Sequence, residues 1–285
     1  MAGDPWRVEL LEDPEEFLRR GGAWLIGHAI DANVIGSALA STLARPVAQR
    51  EPSRWLLVLD GGGRVAGIAM HRPEFEVFLP DIAPDAAAKV AEALVDRAID
   101  APGASGCGEP ARAFCLAWHR LTGRTWEQAS AARLYVLDAL KPPGDVPGER
   151  RTAGPADVDL VATWADAFVA ESDGYWPAGS QREVVARRIA AGEVSLWTVD
   201  GEPVSMAATS PVVGGVARVN LVFTPPARRG RGYGSAASAA VTQRALDDGA
   251  DTCMLYADVA NPTSNEIYRR IGYREFADSV VLRFT

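Results

Sequence analysis

A loop rich in glycine and arginine carries the clearest chemical signal in the sequence. It reads Arg-Arg-Gly-Arg-Gly-Tyr-Gly over residues 228–234, between an apolar run that ends at Pro225 and Pro226 and a helix-forming stretch over 235–248. Glycines permit turn dihedrals that other residues avoid, and they leave the backbone amides open to an anion. A helix start adds free N–H groups and partial positive charge, and the arginines add mobile cations. The pattern predicts a binding site for a diphosphate.

The spacing of this loop fits two common nucleotide-binding loops poorly. A P-loop would continue with Gly-Lys-Ser or Gly-Lys-Thr, and neither follows here. A dinucleotide-binding loop needs its third glycine one residue beyond Gly234, and an acidic residue about 20 positions later. The spacing therefore disfavours ATP, GTP and NAD as ligands.

The spacing Arg-x-x-Gly-x-Gly at Arg229, Gly232 and Gly234 resembles the pyrophosphate loop of the GCN5-related N-acetyltransferase (GNAT) superfamily. The segment Asn-Pro-Thr-Ser-Asn-Glu-Ile-Tyr over 261–268 resembles the part of that family after its fifth strand, where an Asn and a helical Tyr flank the thioester. The resemblance is clear from about residue 152 to the end and faint before it. It implies an α/β (α+β) fold of two acetyltransferase-like mixed β-sheet domains with helices on both faces, of which the C-terminal domain carries the acyl-CoA loop.

The resemblance also implies acetyl-CoA as cosubstrate and the amine of a small molecule as acceptor. The coenzyme contacts implied are Leu221, Val222, Phe223, Arg228, Arg229, Gly230, Arg231, Gly232, Tyr233, Gly234, Ser235, Asn261, Ser264 and Tyr268. Tyr268 would be the general acid, because a phenol with a pKa near 10 is protonated at neutral pH and can donate to the departing thiolate. Both helix residues also have structural alternatives, since Tyr268 could only pack before Gly272, and Asn261 before Pro262 is a natural N-cap. For Tyr233 we expect a buried side chain beneath the loop and an amide that faces phosphate.

The general base is the least defined role. Many members of the family place a Glu on the fourth strand, but residues 218–223 contain no acid. Glu171 is the catalytic candidate, since the family's acceptor site lies near the loop after the first helix, and Asp173, Asp258 or a chain of water molecules are alternatives. Tyr175 and Trp176 either line the acceptor pocket or cover the edge of the core. Because the strand lacks an acid, a catalytically silent acyl-CoA-binding or sensing protein is the alternative function.

Composition narrows the class of protein. A chain of 285 residues with 48% hydrophobic residues can fill two cores. The net charge of -8 argues against nucleic acid or an anionic membrane as the main partner. Without a signal peptide or an apolar run of membrane-spanning length, the chain is expected to be cytoplasmic. Cys107, Cys115 and His119 lack the spacing of metal ligands, and the cysteines are expected to be reduced.

Hydrophobic periodicity and turn signals predict a similar α/β succession in both halves. In the first half they predict helices over 14–20, 31–43 and 84–99, a hairpin of strands 55–60 and 65–71, a helix or strand over 111–118, and a strand over 133–140. In the second half they predict helices over 157–171, 235–248 and 262–270, another helix capped by Ser180 with Glu183, a hairpin of strands 195–200 and 204–210, strands over 216–223 and 252–259, and a terminal pair of strands near 274 and over 280–284. This parallel indicates a tandem repeat.

The domains predicted are 1–140 and 152–285, joined by a Pro/Gly-rich linker over 141–151. The first domain has no Arg-x-x-Gly-x-Gly, because residues 75–81 run directly into a helix. It should not bind a diphosphate. It is either a degenerate acetyltransferase-like repeat that shapes the acceptor cleft or an unrelated α/β domain.

Overall fold

The computed structural model describes residues 5–171 and 181–285. The predicted roles of Asp173, Tyr175, Trp176 and Ser180 fall outside the described residues. The chain forms two compact units. The first contains the described residues up to Arg133 together with Ala277–Thr285, and the second contains the described residues between Leu134 and Phe276.

Both halves of the chain have the same order of elements: a strand, two helices, three strands, a helix, a strand, a helix and a strand. The first half contains β1 (Arg7–Leu11), α1 (Pro14–Gly27), α2 (Asn33–Leu43), β2 (Arg54–Leu59), β3 (Val65–His71), β4 (Val77–Leu79), α3 (Pro84–Val95), β5 (Gly103–Cys107), α4 (Gly108–Thr122) and β6 (Trp126–Leu137). The second half contains β7 (Glu149–Thr152), α5 (Val158–Glu171), α6 (Gln181–Ala190), β8 (Val194–Val199), β9 (Glu202–Thr209), β10 (Val216–Phe223), α7 (Tyr233–Asp247), β11 (Thr252–Asp258), α8 (Pro262–Arg270) and β12 (Tyr273–Phe284). This shared order supports the predicted tandem repeat.

The sheet of the first unit has the order β1-β2-β3-β4-β5, and the C-terminal part of β12 lies beside β5. Alternate residues of β2 face opposite layers, as the period of a strand requires. Leu56 and Val58 belong to the core formed with α3 and α4. On the other face the ring of Trp55 lies 5.3 Å from that of Phe17 in α1. Helices therefore cover both faces of this sheet.

The sheet of the second unit has the order β7-β8-β9-β10-β11, followed by β6, of which residues 134–137 belong to this unit. On β9, Met206 packs in the core with α5 and α6, whereas Ala207 packs in the core with α7 and α8. This unit, too, has helices on both faces. The mixed-sheet fold class predicted from the sequence is confirmed.

Local signals located most elements of the second half correctly. The strand at 216–223 and the helix at 262–270 have the predicted limits, and both predicted hairpins are antiparallel pairs. The stretch 111–118 lies within the helix α4. In place of the predicted terminal pair there is one long strand, β12, because its second part pairs with β5 and does not fold back on its first part.

The prediction missed several short strands. Four strands were not foreseen, namely β1, β4, β5 and β7. β5 reads Gly-Ala-Ser-Gly-Cys and has no β-branched residue. Its glycines are required by close neighbours, since a Cβ on Gly103 would lie 1.9 Å from the carbonyl oxygen of Leu282.

The segment predicted as a linker is part of the second unit. β7 overlaps its end, and the indole Nε1 of Trp197 donates a hydrogen bond to the carbonyl oxygen of Pro147 at 3.0 Å. The two compact units thus have different limits from the ranges 1–140 and 152–285, because each takes in a strand segment from the other half of the sequence.

Candidate functional site

The two central strands of the second unit are paired along only part of their length. β10 and β11 are parallel, and their last registered pair in the described part of the chain is Arg218 with Met254. β10 then continues to Phe223 and β11 to Asp258. Beyond the last pair, the backbone groups on this edge of β10 are not paired with β11. An extended ligand can hydrogen-bond to such an edge as an added strand would.

A β-bulge bends β10 at this point. The register with β9 shifts between Asn220 and Phe223, and Leu221 adopts a left-handed conformation with φ 50°. A left-handed conformation costs a branched residue about 1–3 kcal/mol, and such strain is concentrated at functional sites. The bulge separates β10 from the course of β11 and contains Leu221 and Val222, two of the coenzyme contacts predicted from the sequence.

The loop after β10 has the backbone geometry expected of an anion site. Gly230 and Gly232 have φ values of 76° and 80°, in the left-handed region that favours glycine. Gly232 is the N-cap of α7 and makes no side-chain capping bond. The backbone N–H groups of residues 230–235 have no acceptor among the described residues, and the first that has one is Ala236, which donates to Gly232 at 3.0 Å. Consecutive free amides at a helix start bind anions.

The three glycines of the loop are subject to different constraints. A Cβ on Gly232 would lie 2.9 Å from Cγ2 of Val146, and one on Gly234 would lie 3.2 Å from Oγ1 of Thr224. A Cβ on Gly230 would have no neighbour within 4 Å among the described residues. Tyr233 is buried at 6% exposure, as expected for a residue that supports the loop from below.

The arginines of the loop differ in their contacts. Arg228 and Arg231 are exposed and make no ion pair within the described ranges, so both can reach an incoming anion. Arg229 is fixed: its Nε donates to the carbonyl oxygen of Thr224 at 2.9 Å, and its Nη2 donates to both carboxylate oxygens of Glu171 at 2.8 and 2.6 Å. Arg229, a predicted contact of the diphosphate, and Glu171, the predicted base, are thus ion-paired with each other.

Tyr268 lies in α8 against two other tyrosines. It is 8% exposed, and its ring centroid lies 6.3 Å from those of Tyr135 and Tyr273. Burial raises the pKa of Tyr268 to about 12. Its hydroxyl therefore stays protonated at neutral pH and can donate a hydrogen bond.

Asn261 acts as the N-cap of α8. Its Oδ1 accepts a hydrogen bond from the backbone N–H of Ser264 at 3.0 Å. This contact confirms the structural alternative for Asn261, and it engages both residues in holding the helix start. Their predicted contact with the coenzyme stays a prediction.

Asn265 holds the same helix start and was missed from the sequence. Its side chain is 6% exposed, and its Nδ2 donates to the carbonyl oxygens of Asp258 and Asn261, both at 2.7 Å. Its Oδ1 accepts from the hydroxyl of Tyr135 at 2.7 Å. The amide joins the end of β11 to the first turn of α8 and so orients Tyr268, which follows in that helix. The available signal was the Asn-x-x-x-Asn spacing, of which only the first Asn was used.

Two acids near β10 make structural contacts. Oδ1 of Asp258 accepts from the backbone N–H of Ala260 at 2.8 Å, which closes a turn. Glu193 accepts from Nε of Arg188 at 2.9 Å, and Nη2 of Arg188 donates to Oδ1 of Asn220 at 2.8 Å. The polar chain from Glu193 to Asn220 thus ends on the residue that begins the bulge.

Comparison with known proteins agrees with this geometry. Residues 161–273 match the Acetyltransferase (GNAT) family. Three similar solved structures are a Drosophila protein (17% identity, 99% of each chain covered, TM-score 0.67), an acetyltransferase of the GNAT family from Colwellia psychrerythraea (11%, 98% of each chain, 0.63) and a GCN5-related N-acetyltransferase from Sphaerobacter thermophilus (17%, 99% of this chain and 96% of that chain, 0.62). The chain has no match among curated protein sequences.

The class and the family follow from these findings. The matched region contains β10, the glycine loop and α8, and its family identifies the protein as an acyltransferase in general terms. Over residues 161–273 the chain matches the GNAT superfamily, as the two sequence motifs predicted. Its likeness to the solved structures extends over the whole chain, and at these identities it establishes the fold alone. In the described ranges no helix has both the length and the apolar character needed to cross a bilayer.

Proposed function

We propose that the second unit transfers an acetyl group from acetyl-CoA to the amine of a small molecule. The observation that carries the proposal is the row of amides over residues 230–235, which lack acceptors in the described part of the chain and lie at the start of α7. They match the diphosphate of a coenzyme in charge and in hydrogen-bonding direction. The free edge of β10 beside this row matches its amide-containing pantetheine arm.

Each predicted coenzyme contact has a role in this proposal. The backbone of Leu221, Val222 and Phe223 pairs with the pantetheine arm. The amides of the loop hold the diphosphate, and Arg228 and Arg231 add charge to it. The thioester then lies near the start of α8, where Asn261, Ser264 and Tyr268 are found.

The reaction is a direct attack of the neutral amine on the thioester carbonyl carbon. The new C–N bond forms as the C–S bond breaks, and the electron pair of that bond leaves on sulfur. The amine loses a proton to a base or to water, and solvent protonates the thiolate. Holding the two reactants in line supplies most of the acceleration.

We assign to Tyr268 a hydrogen bond to the developing thiolate and not a complete proton transfer. Its pKa of about 12 lies well above that of an ordinary thiol, near 8.5. Full transfer of its proton to such a thiolate is therefore uphill by roughly 5 kcal/mol, at about 1.4 kcal/mol for each pKa unit.

Glu171 is the proposed base, and its use depends on the coenzyme. The carboxylate is engaged by Arg229. A diphosphate bound in the loop competes for that guanidinium, which frees the carboxylate to accept the proton of the amine. Without this exchange, water is the acceptor.

The test compares two glycine variants by calorimetry with acetyl-CoA. Gly230→Ala places a methyl group beside the free amides, whereas Gly201→Ala puts the same strain in the turn between β8 and β9. The two sites have φ values of 76° and 81°, and in the described part of the chain neither Cβ would have a neighbour within 4 Å. The proposal expects binding to weaken only in Gly230→Ala, and equal affinities in the two variants would contradict it.

The alternative function is a silent acyl-CoA sensor. It is favoured by the absence of an acid in residues 218–223 and by the structural contacts of Asp258. The two functions separate when free thiol is measured with acetyl-CoA and a panel of small amines. Release that depends on an amine supports transfer, and binding without release for every amine supports the sensor.

A further inference from the structure

The first unit contains a cleft that the proposed acyl transfer does not use. Its volume is about 490 Å³, which is within the range of small-molecule sites. It lies where β2 begins and β3 ends, next to the segment between α3 and β5. The charged and polar residues that line it are Arg54, His71, Glu74, Asp100 and Arg124.

His71 lines this cleft with a buried and unpaired ring. The side chain is 2% exposed, and neither Nδ1 nor Nε2 has a hydrogen-bond partner among the residues that the structure describes. Burial, and next the charge of Arg54, lower the pKa of His71 to about 4. The neutral ring thus has one N–H donor and one acceptor without partners, and each buried unpaired group costs about 1–3 kcal/mol.

Arg54 adds a charge beside that ring. In the register of β2 and β3 it is directly opposite His71, so the two side chains share one face of the sheet. Arg54 is partly buried and has no acceptor in the described part of the chain. Arg124 lies at the same cleft with its guanidinium held in place, because Nη1 donates to Oδ1 of Asp100 at 3.0 Å and the group lies 5.1 Å from the ring centre of Phe284.

The second repeat has no equivalent of this pair. In the corresponding hairpin the first residue of β8, Val194, is opposite Ala208 of β9. The repeated fold therefore does not require an arginine and a histidine here. Their cost to stability needs another explanation, and a ligand provides one.

We propose that this cleft binds a small molecule through an oxyanion, a carboxylate or a phosphate, which accepts hydrogen bonds from the guanidinium of Arg54 and the ring N–H of His71. Arg124 lies at the same cleft, where its charge is paired with that of Asp100. The pairing satisfies the buried donor of His71 and neutralises Arg54. The first unit then has a binding site of its own, independent of the acyl-transfer site.

The histidine rings give a local test. The chain has three histidines, His28, His71 and His119, and all three lie in the first unit, whereas the glycine loop lies in the second. Long-range ¹H–¹⁵N spectra of the imidazoles are recorded on the full chain during titration with inorganic phosphate and, separately, with succinate. Chloride keeps the ionic strength constant, and His71→Asn assigns the signals.

The proposal expects saturable shifts of the His71 signals at millimolar anion, with the signals of His28 unchanged. Phosphate alone or succinate alone would identify which oxyanion the cleft prefers. Arg54→Gln should weaken the titrated affinity by about 10-fold or more, because it removes a charged hydrogen bond. The control Arg64→Gln, at an exposed arginine paired with Asp60, should leave it unchanged. An absence of saturable shifts with both anions, or an unchanged affinity in Arg54→Gln, would overturn the proposal.

Discussion

The two repeats build the same pair of central parallel strands and differ in how far the strands stay together. In the first unit β4 ends at Leu79, which is still paired with Gly106 of β5. In the second unit the last pair is Arg218 with Met254, and β10 runs on to Phe223. The first pair of strands is closed along the whole of β4, and the second is open where the predicted coenzyme contacts lie.

A glycine permits the close contact in the first unit. A Cβ on Gly106 would lie 2.1 Å from the carbonyl oxygen of Leu79, and its φ is 112°. In the second unit the bulge at Leu221 has the opposite effect, because it bends β10. Within the same topology, one glycine thus keeps β4 paired with β5, whereas one bulge separates β10 from β11.

The helix starts that follow these strands also differ. Before α3, the backbone N–H of Asp81 donates to Oδ2 of Asp31 at 3.0 Å, and α3 has Asp85 in its first turn. Burial raises the pKa of Asp31. Before α7 there are free amides and arginines. Acids at the first helix start disfavour a diphosphate, whereas amides and arginines at the second favour one, so the proposed site does not follow from the fold alone.

The largest effect is expected from Gly106→Ala, which tests the closed pair. The methyl group meets a backbone oxygen, so the strands must separate, and we expect the free energy of unfolding to fall by about 3 kcal/mol or more. Gly123→Ala is the control, since its φ is also positive and its Cβ would have no neighbour within 4 Å. Urea denaturation measures both, and equal losses would show that the contact with Leu79 is unimportant.

The next effect is expected from Tyr268→Phe, which tests the chemistry at the open pair. We expect kcat to fall by about 10²-fold with KM unchanged, because the hydrogen bond forms in the transition state. Steady-state kinetics measures the two constants. A fall in acetyl-CoA affinity of the same size would indicate a structural tyrosine.

The same tyrosine predicts the alkaline limit of activity. Its protonated form is the active one, so its contribution is present below the raised pKa of about 12 and is lost as the pH rises through that value. The rate of the wild-type protein should not decrease through this group near pH 10, where an exposed tyrosine ionises. A loss of kcat centred near pH 10 that is absent from Tyr268→Phe would contradict this.

A moderate effect is expected from Gly230→Ala, which places a methyl group beside the free amides before α7. The variant makes these amides less accessible to an anion, as the start of α3 is. We expect the Kd for acetyl-CoA to rise by about 10-fold, the equivalent of roughly one charged hydrogen bond to the diphosphate. The measurement is the calorimetric comparison with Gly201→Ala. A Kd within error of that control would show that the loop amides do not bind the coenzyme.

The smallest effect on coenzyme affinity is expected from Glu171→Gln, which releases Arg229 for the diphosphate. Exposed ion pairs contribute up to about 1 kcal/mol, so acetyl-CoA affinity should rise by up to about 5-fold at low salt and the gain should disappear at high salt. Glu202→Gln, at an exposed position of β9, is the control. Because Glu171 is the proposed base, turnover should fall in Glu171→Gln, and unchanged turnover would show that Glu171 is not the base.

Local patterns in the sequence were sufficient for the loop, for β10 and for α8. The glycine spacing, the Pro-Pro stop and the Asn-Pro start each act within a few residues, so neighbouring positions determine them. The sequence could not show that Glu171 pairs with Arg229 or that Asn265 bonds to Tyr135, since these partners are far apart along the chain. The strand β5 was missed because its glycines serve contacts with β4 and β12.

The sequence by itself determined which repeat has a loop of glycines and arginines at a helix start, because residue type and charge there are properties of adjacent residues. Only the tertiary structure decided that β10 separates from β11, that β12 completes the sheet of the first unit, and that Arg54 is opposite His71. These features depend on strand register and on packing between distant segments. A few residues of local sequence do not encode such long-range pairings.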